Sequence, residues 1–502
     1  MKEKYLTKHN IQKGLVLLLY VVFNGVLLWR HEMWRDEINV WLMGRDLSIA
    51  ELFREIKYQG HPCLWYLLIM PFVRLGFPCR IMGIISLTAM TFAAGLYLHK
   101  APFNFWIKSI SLFSPIFTYY YAEIARGYCL VALLIVVLAC FHPKRNDRPF
   151  VYGILLGLLV QADTIALPIA GMLSLMWLGE NTAESIKEKK FRWLLTAAKG
   201  LWIPLLSLGL WILQFYQVSD SPVFEIRRVG IGQLIRECTD FSLWILERLT
   251  GIPKGTGIWI YAITGFLVLA VSFQKKRFWP ILVMLGTLAF QCLFSRLVYE
   301  LNIWHFISLC FVYIWMLWIL GEEKEDFSIK AIKTGKWSAC GLQLVLLLLS
   351  VFMFGRWNYP NEASSLSNAL WGSYSDGVYA ARFLQENLST EEVIVTANVP
   401  YTSTIWGFAK EYRAYFAGSG ELASYADWSK KQSQDISFSQ LMEWVAVSFP
   451  EKESFVFIDS NESYVTGAQD YLSENALIYR TATPSARQED YSIYRVWLKE
   501  NE

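Results

Sequence analysis

Several short segments of the sequence carry side chains that can transfer protons or bind charged ligands. The first is W-R-D-E, in which Asp36 and Glu37 follow an apolar run by a few residues. A carboxylate in this position can accept a proton from a hydroxyl group or help to hold a divalent metal ion. The alternative is a solvated helix start, because acidic residues favour the positive end of a helix dipole.

A second segment, Y-Y-Y-A-E-I-A-R-G-Y, ends at Tyr128 and places Glu123 three residues before Arg126. On a helix these two side chains share a face, so an internal ion pair is one interpretation. The other is that Glu123 faces a cavity and Arg126 binds an anion, since a guanidinium can give a phosphate two parallel hydrogen bonds. Both interpretations remain open at this point.

Three single residues are further candidates for substrate binding. His61 precedes Pro62 and either begins a helix or contacts a phosphate or leaving group. Asp163 lies in a tight turn between two apolar runs, where turn formation explains it as well as function does. His305 follows Trp304 at the end of another apolar run, and it faces either a cavity or the aromatic belt of the membrane interface.

The composition places these residues in a membrane protein. Of the 502 residues, 54% are hydrophobic and 18% are charged, whereas a soluble domain carries about 25% charged residues. Many apolar runs approach the ~20 residues that cross a bilayer. This excludes a disordered chain and an ordinary cytosolic enzyme. The net charge of +3 is too small to imply a nucleic-acid partner.

The distribution of Lys and Arg predicts the topology, because these residues concentrate in cytoplasmic loops. The basic loops share one side of the membrane only if residues 62–77 do not cross it. We therefore expect residues 62–77 to form a helix on the outer surface. This predicts a cytoplasmic N-terminus and about eleven transmembrane helices, at 13–29, 80–98, 102–121, 126–141, 149–163, 164–179, 194–216, 257–273, 278–294, 303–320 and 337–354.

The C-terminal region, 356–502, is polar and lacks a consistent helical period. It predicts an extracytoplasmic α/β domain that follows a transmembrane domain at 1–355, whose first external loop spans 30–79. The region contains no histidine and no pattern of catalytic or metal-binding residues, so we assign it no chemistry. The periodicity predicts helices at 376–387 and 471–475 and strands at 393–397, 455–458 and 491–497.

The combination of segments is more specific than any one of them. W-R-D-E in a long loop after one span, G-H-P before an apolar surface helix, and E-I-A-R-G-Y after the third span together resemble the GT-C superfamily of glycosyltransferases. The similarity is greatest to bacterial relatives of protein O-mannosyltransferases and aminoarabinose transferases. It covers residues 12–180 well and extends to 356–502 only in architecture. It implies a polytopic α-helical GT-C fold with juxtamembrane helices in the first loop.

The resemblance also implies an activity and roles for individual residues. The expected enzyme is a hexosyl- or pentosyltransferase of the cell membrane that uses a polyprenyl-phosphate-linked sugar as donor. The acceptor is a glycan, a lipid or a protein. Asp36 matches the family's catalytic base, Glu37 matches its neighbour, and His61 falls where relatives carry a basic residue that meets the lipid phosphate. Glu123 falls near the family's second acidic position.

The same resemblance leaves the cofactor open. The second segment reads E-x-x-R, not the D-x-D of metal-dependent members. If the protein uses a divalent ion such as Mg²⁺ or Mn²⁺, Asp36 and Glu123 are the ligands that the sequence offers.

Three other function classes compete with the transferase. A lipid or polysaccharide flippase would carry charges near the membrane midplane and repeated halves, and the apolar runs contain few charges besides Lys108 and Lys199. A catalytically inactive GT-C-like assembly protein is the second class. A polysaccharide polymerase or ligase is the third, and it would use the late external arginines Arg227, Arg228 and Arg236.

Overall fold

The computed structural model describes residues 2–216, 227–322, 337–358, 365–396, 399–422, 424–428, 435–460, 465–468, 471–472, 474–482 and 484–498. The chain forms two compact units. The first consists of Met1–Trp29, Gly83–Gln214 and Phe224–Tyr359, and the second of Arg30–Met82, Phe215–Val223 and Pro360–Glu502. The first predicted external loop therefore belongs to the same unit as the C-terminal region, although 280 or so residues of sequence separate them.

Helices make up most of the described chain before residue 358. They are α1 (Lys2–Arg30), α2 (Arg35–Asp46), α3 (Ile49–Glu55), α4 (Leu64–Arg74), α5 (Ile81–Lys100), α6 (Phe105–Leu112), α7 (Tyr128–Phe141), α8 (Pro149–Ala162), α9 (Leu167–Glu188), α10 (Arg192–Phe215), α11 (Ile231–Thr250), α12 (Lys254–Lys275), α13 (Trp279–Leu297), α14 (Ile303–Leu320) and α15 (Trp337–Met353).

Six of the described helices contain stretches long and apolar enough to cross a membrane. These stretches are Asn10–Arg30, Ile81–Lys100, Arg192–Phe215, Gly255–Lys275, Trp279–Leu297 and Ile303–Leu320. Shorter apolar helices occupy several of the other predicted spans. The protein is thus a multi-pass membrane protein, while the count of eleven spans and the orientation of the termini stay predictions.

Two predicted segments differ from the structure. The apolar run 102–121 is helical only over Phe105–Leu112, and turns follow to residue 127. Pro115 lacks a backbone N–H, and Tyr119 adopts a left-handed φ of 56°, so neither residue continues a helix. The stretch between the predicted spans 194–216 and 257–273 contains α11, a long helix bounded by Gly230 and Gly251.

The C-terminal region forms the predicted α/β structure. The described elements are α16 (Leu366–Trp371), α17 (Gly377–Asn387), β1 (Ile394–Thr396), α18 (Val399–Phe408), β2 (Ala414–Phe416), β3 (Ile436–Ser437), α19 (Phe438–Ser448), β4 (Ser454–Ser460), β5 (Val465–Thr466), β6 (Leu477–Arg480) and β7 (Tyr491–Trp497). Five of the strands form a sheet with the order β2-β1-β4-β7-β6, in which β1 pairs in parallel with β2 and β4, and β7 pairs antiparallel with β4 and β6.

The sequence-based elements of this region are mostly confirmed. The predicted helix at 376–387 is α17, and the three predicted strands are β1, β4 and β7. The helix predicted at 471–475 is wrong, because Glu474–Ala476 is a single 3₁₀ turn that leads directly into β6. The core of the domain packs α19 against the central strands, with Val395, Leu441 and Phe457 fully buried.

In the second unit, α2 packs between α4 and α18. A Cβ added at Gly44 would lie 3.4 Å from Cγ2 of Val73 in α4. A Cβ added at Gly407 in α18 would lie 2.4 Å from Cγ2 of Ile38, which is shorter than any real contact. Glycine therefore allows the C-terminal region to approach the helix that carries Asp36 and Glu37.

Candidate functional site

Asp36 lies in the first turn of α2, one residue after the helix begins. Trp34 precedes the helix in an extended conformation, and Arg35 is its first residue. The Asp36 side chain is 24% exposed, and its Oδ1 lies 3.8 Å from Nε of Arg35. The carboxylate is thus partly accessible, as a group that accepts a proton from an incoming hydroxyl must be.

Glu37 is in a different setting, although it is the next residue. Its side chain is fully buried. Its Oε2 lies 2.7 Å from Nε2 of His31 and accepts the Trp34 N–H at 3.2 Å. Glu37 therefore holds the chain that enters α2. The sequence does not single out His31, because its contact with Glu37 depends on how the chain folds between the end of α1 and the start of α2.

The C-terminal region contributes a second buried carboxylate to the start of α2. Glu489, which precedes β7, is fully buried. Its Oε1 and Oε2 accept the Arg35 N–H at 3.0 and 3.3 Å, and Oε2 also accepts the hydroxyls of Ser375 at 2.6 Å and Thr404 at 3.1 Å. Burial raises the pKa of Glu489 to about 7, against the opposing effect of Arg35.

Further contacts fix the same helix to the C-terminal region. The Arg35 guanidinium lies 4.0 Å from the ring centroid of Tyr401 in α18. One turn later, Asn39 donates to the Ala426 carbonyl at 3.3 Å and accepts the Ala426 N–H at 2.7 Å. Gln59 donates to the same carbonyl at 2.9 Å. Polar contacts along its length thus position α2.

His61 lies in the connection between α3 and α4. It is partly exposed and stands between Gly60, whose φ is +71°, and Pro62. The left-handed glycine turns the chain, and α4 begins at Leu64. The helix predicted at 62–77 is confirmed as Leu64–Arg74. His61 belongs to the same unit as Asp36.

In the first unit, three of the predicted residues lie close together. The Arg126 guanidinium is 5.9 Å from the ring centroid of Tyr128, and the rings of Tyr128 and His305 meet edge-on at 5.7 Å. His305 is buried, and its Nδ1 accepts the Asn302 N–H at 2.8 Å, so its proton is on Nε2 when the ring is neutral. Tyr121 stacks on the other side of Tyr128 at 5.4 Å.

Glu123 and Asp163 are both almost fully buried. Glu123 and Arg126 do not share a helix face, because residues 113–127 form turns in which the Glu123 N–H donates to the Tyr119 carbonyl at 3.0 Å. Asp163 lies in the predicted turn between α8 and α9, where its Oδ1 accepts the Ile165 N–H at 3.0 Å. It also lies close enough to Tyr121 to interact with it electrostatically.

A metal site needs several ligand side chains together. Among the described residues, no group of three or more His, Cys, Asp or Glu side chains could hold an ion. Of the two ligands that the sequence offers, Asp36 belongs to the second unit and Glu123 to the first.

The second unit contains a cavity of about 300 Å³, at the lower end of the range for ligand pockets. Residues from 31–80 line one part of it and residues from 378–410 the rest. Its lining combines the apolar Trp41 and Phe408 with the charged Glu32, Arg80 and Lys410.

Comparison with known proteins identifies the architecture. The crystal structure of ArnT from Cupriavidus metallidurans in the apo state aligns over 98% of this chain and 98% of its own, with a TM-score of 0.55 and 11% sequence identity. This chain has the ArnT fold. The architecture predicted from the sequence, a polytopic α-helical region followed by a C-terminal α/β domain, agrees with this fold. The ArnT structure bound to undecaprenyl phosphate aligns with a TM-score of 0.38 and 13% identity over 99% of both chains, and the fold assignment rests on the apo structure alone. No protein-family model and no curated protein matches the sequence.

Proposed function

We propose that this protein is a membrane glycosyltransferase. It moves a sugar from a polyprenyl-phosphate-linked donor to an acceptor hydroxyl at the outer face of the membrane. The observation that carries the proposal is the likeness to ArnT, an aminoarabinose transferase of the GT-C type, over nearly the whole chain. The W-R-D-E segment supports it, since Asp36 lies in the first turn of a short helix that follows the first apolar helix in sequence.

Asp36 is the general base in this proposal. As the bond forms between the acceptor oxygen and the anomeric carbon of the sugar, the hydroxyl proton passes to an Asp36 carboxylate oxygen. The partial exposure of Asp36 supports this role. Glu37 is fully buried, and its Oε2 binds His31 and the Trp34 N–H, so its proposed part is to hold the turn that carries Asp36.

The leaving group needs cationic partners. The bond between the anomeric carbon and the phosphate oxygen breaks, and the polyprenyl phosphate takes the electron pair and departs as an anion. Positive side chains stabilise the charge that develops on that oxygen. His61, by its position in the resemblance, and the buried Arg126 beside Tyr128 are the candidates. Tyr128, Glu123, Asp163 and His305 are proposed to shape the substrate-binding region.

The proposed topology follows the basic loops. The N-terminus is cytoplasmic and the C-terminal region is extracytoplasmic. This orientation gives the chemistry access to a lipid-linked donor in the outer leaflet and to an acceptor outside the cell.

The test is the turnover of a radiolabelled polyprenyl-phosphate-sugar pool in membranes with matched amounts of protein. Asp36→Asn should lower transfer by about 10²-fold or more. The matched control is Asp46→Asn at the other end of α2, where the carboxylate pairs with Arg45 and Ser424. That variant should transfer at close to the wild-type rate.

The other outcomes point to the competing functions. Equal release by wild-type protein and Asp36→Asn would show that Asp36 is not the base. If wild-type protein releases no sugar from a broad panel of donors, the flippase or the inactive assembly protein becomes the better account. The chromatographic mobility of the labelled product identifies the acceptor as glycan, lipid or protein.

A further inference from the structure

The start of α2 is capped by a residue from the far end of the chain. The next short helix, α3, has a local cap, since Ser48 accepts the Glu51 N–H at 3.2 Å. In α2 the corresponding residue is Trp34, whose side chain has no oxygen to accept a hydrogen bond. Glu489 supplies the missing acceptor to the Arg35 N–H.

We infer that Glu489 is a positioning residue for Asp36, through which the C-terminal region fixes the orientation of the catalytic carboxylate. This inference rests on the proposed function, in which Asp36 is the base. Glu489 itself is fully buried, so its part in the proposed reaction is indirect. It acts through the backbone of Arg35, the residue immediately before Asp36.

The physical reason lies in the helix terminus. The first N–H groups of a helix lack partners within it, and the first turn frays when they are not capped. A carboxylate is a favourable cap because it meets the positive end of the helix dipole. Asp36 lies in that first turn, so any fraying moves its carboxylate directly.

A second contact fixes the same residue from the side. The Arg35 guanidinium stacks over Tyr401, and its Nε lies 3.8 Å from Asp36 Oδ1. The backbone and the side chain of Arg35 are therefore both held by the C-terminal region. Thr404, on the same helix as Tyr401, donates to Glu489, which links the two contacts.

The test compares three variants of the full-length purified protein. Glu489→Ala removes the cap, whereas Glu489→Gln keeps one oxygen that can accept the Arg35 N–H. The matched control is Tyr412→Phe, which removes a buried hydroxyl that donates to the carbonyls of Leu384 and Leu388 within the C-terminal region. Each is characterised by kcat per folded protein, donor KM, and backbone hydrogen exchange of residues 34–38 without substrate.

Glu489→Ala should lower kcat by about 10- to 100-fold, the effect of a small displacement of a reacting group, with little change in donor KM. Exchange in residues 34–38 should accelerate by about fivefold, as expected for the loss of one cap. In Glu489→Gln, kcat and the exchange rate of residues 34–38 should both lie close to the wild-type values. Tyr412→Phe should change neither kcat nor the exchange rate.

Two results for Glu489→Ala would overturn the inference. One is a wild-type kcat together with a wild-type exchange rate. The other is faster exchange with unchanged kcat, which would make Glu489 a structural cap only. If Glu489→Ala does not fold, Glu489→Asp replaces it, because the shorter side chain withdraws the acceptor from Arg35 while it keeps the charge. If wild-type protein transfers no sugar, the proposed function fails, and the exchange measurement alone still decides whether Glu489 holds the turn.

Discussion

The start of α2 and the turns between α6 and α7 each carry an acidic residue within three positions of an arginine in sequence. The two regions nevertheless differ in structure. In α2, Asp36 is partly exposed on a regular helix that buried carboxylates hold in place. In residues 113–127, Glu123 is only 1% exposed and lies on turns packed among aromatic rings.

The exposure of the two acidic side chains distinguishes the roles that each can have, which the sequence alone does not. A partly exposed carboxylate can meet an incoming hydroxyl, whereas a buried one fixes the surrounding structure. Irregular backbone within a membrane domain is tolerated only where protein or a water-filled cavity satisfies its polar groups. In the proposed function, residues 113–127 shape a binding region, and α2 presents the reacting group.

The largest effect on stability should come from Glu37→Ala. It leaves His31 Nε2 and the Trp34 N–H buried without their acceptor, which costs about 3 kcal/mol. Thermal unfolding in detergent measures the loss. Glu51→Ala is the matched control, because Glu51 occupies the same helix position in α3 and accepts the Ser48 N–H at 2.8 Å. Since Glu51 is exposed, its loss should be much smaller, and equal losses would contradict the account.

The start of α2 should also make stability depend on pH. Burial raises the pKa of Glu489 from 4.5 to about 7, so the folded protein binds a proton that the unfolded chain has released. Relative to Glu489→Gln, wild-type protein should lose stability as the pH rises from 4.5 to 7, by at most about 1.4 kcal/mol per pH unit. The prediction would be contradicted if the free energies of unfolding of wild-type protein and Glu489→Gln differed by the same amount at pH 5 and at pH 7.

The contact between α18 and α2 should be sensitive to a single methyl group. Gly407→Ala places a Cβ against the buried Ile38 and should cost about 1–3 kcal/mol. Ile38→Val in the same chain should recover part of the loss, because the two sites are coupled. Gly171→Ala is the control, since nothing lies within 4 Å of its added Cβ. If Gly407→Ala were as stable as wild-type protein, α18 and α2 would have to move apart at little cost, contrary to the prediction.

The smallest effect should come from the region of turns. Tyr121→Phe removes the hydrogen bond from the phenol to the Trp304 carbonyl, 3.0 Å away, and should cost about 1 kcal/mol. The ring stacking on Tyr128 and Phe311 remains. The loss should be the same at pH 5 and pH 7. If the stability loss of Tyr121→Phe differed between pH 5 and pH 7, the turns would not differ from the start of α2 in their pH dependence, and the account would be contradicted.

The sequence predicts most of the fold because its signals are local. Apolar runs of about 20 residues predict the long helices, and alternation predicts β7. The sequence does not predict α11, since its mixed charged and apolar residues resemble a loop between spans. The sequence also does not predict the turns at 113–121, because these residues are as apolar as a transmembrane helix.

The site was predictable only where its residues are neighbours in sequence. The W-R-D-E segment indicates Asp36 and Glu37, but it does not show that Asp36 is partly exposed and Glu37 is buried. Glu489 lies more than 450 residues from Arg35, in a region to which the sequence analysis assigned no chemistry. Only tertiary packing brings the two together, and no spacing rule describes it.

The most direct test of the account compares Asp36→Asn with Glu123→Gln in purified, reconstituted protein supplied with a polyprenyl-phosphate-linked sugar. The measured quantity is the transfer rate as a function of pH. The account predicts that Asp36→Asn lowers the rate by about 10²-fold or more, whereas Glu123→Gln keeps measurable transfer with an unchanged pH profile. Loss of transfer in Glu123→Gln together with near-normal transfer in Asp36→Asn would contradict the account.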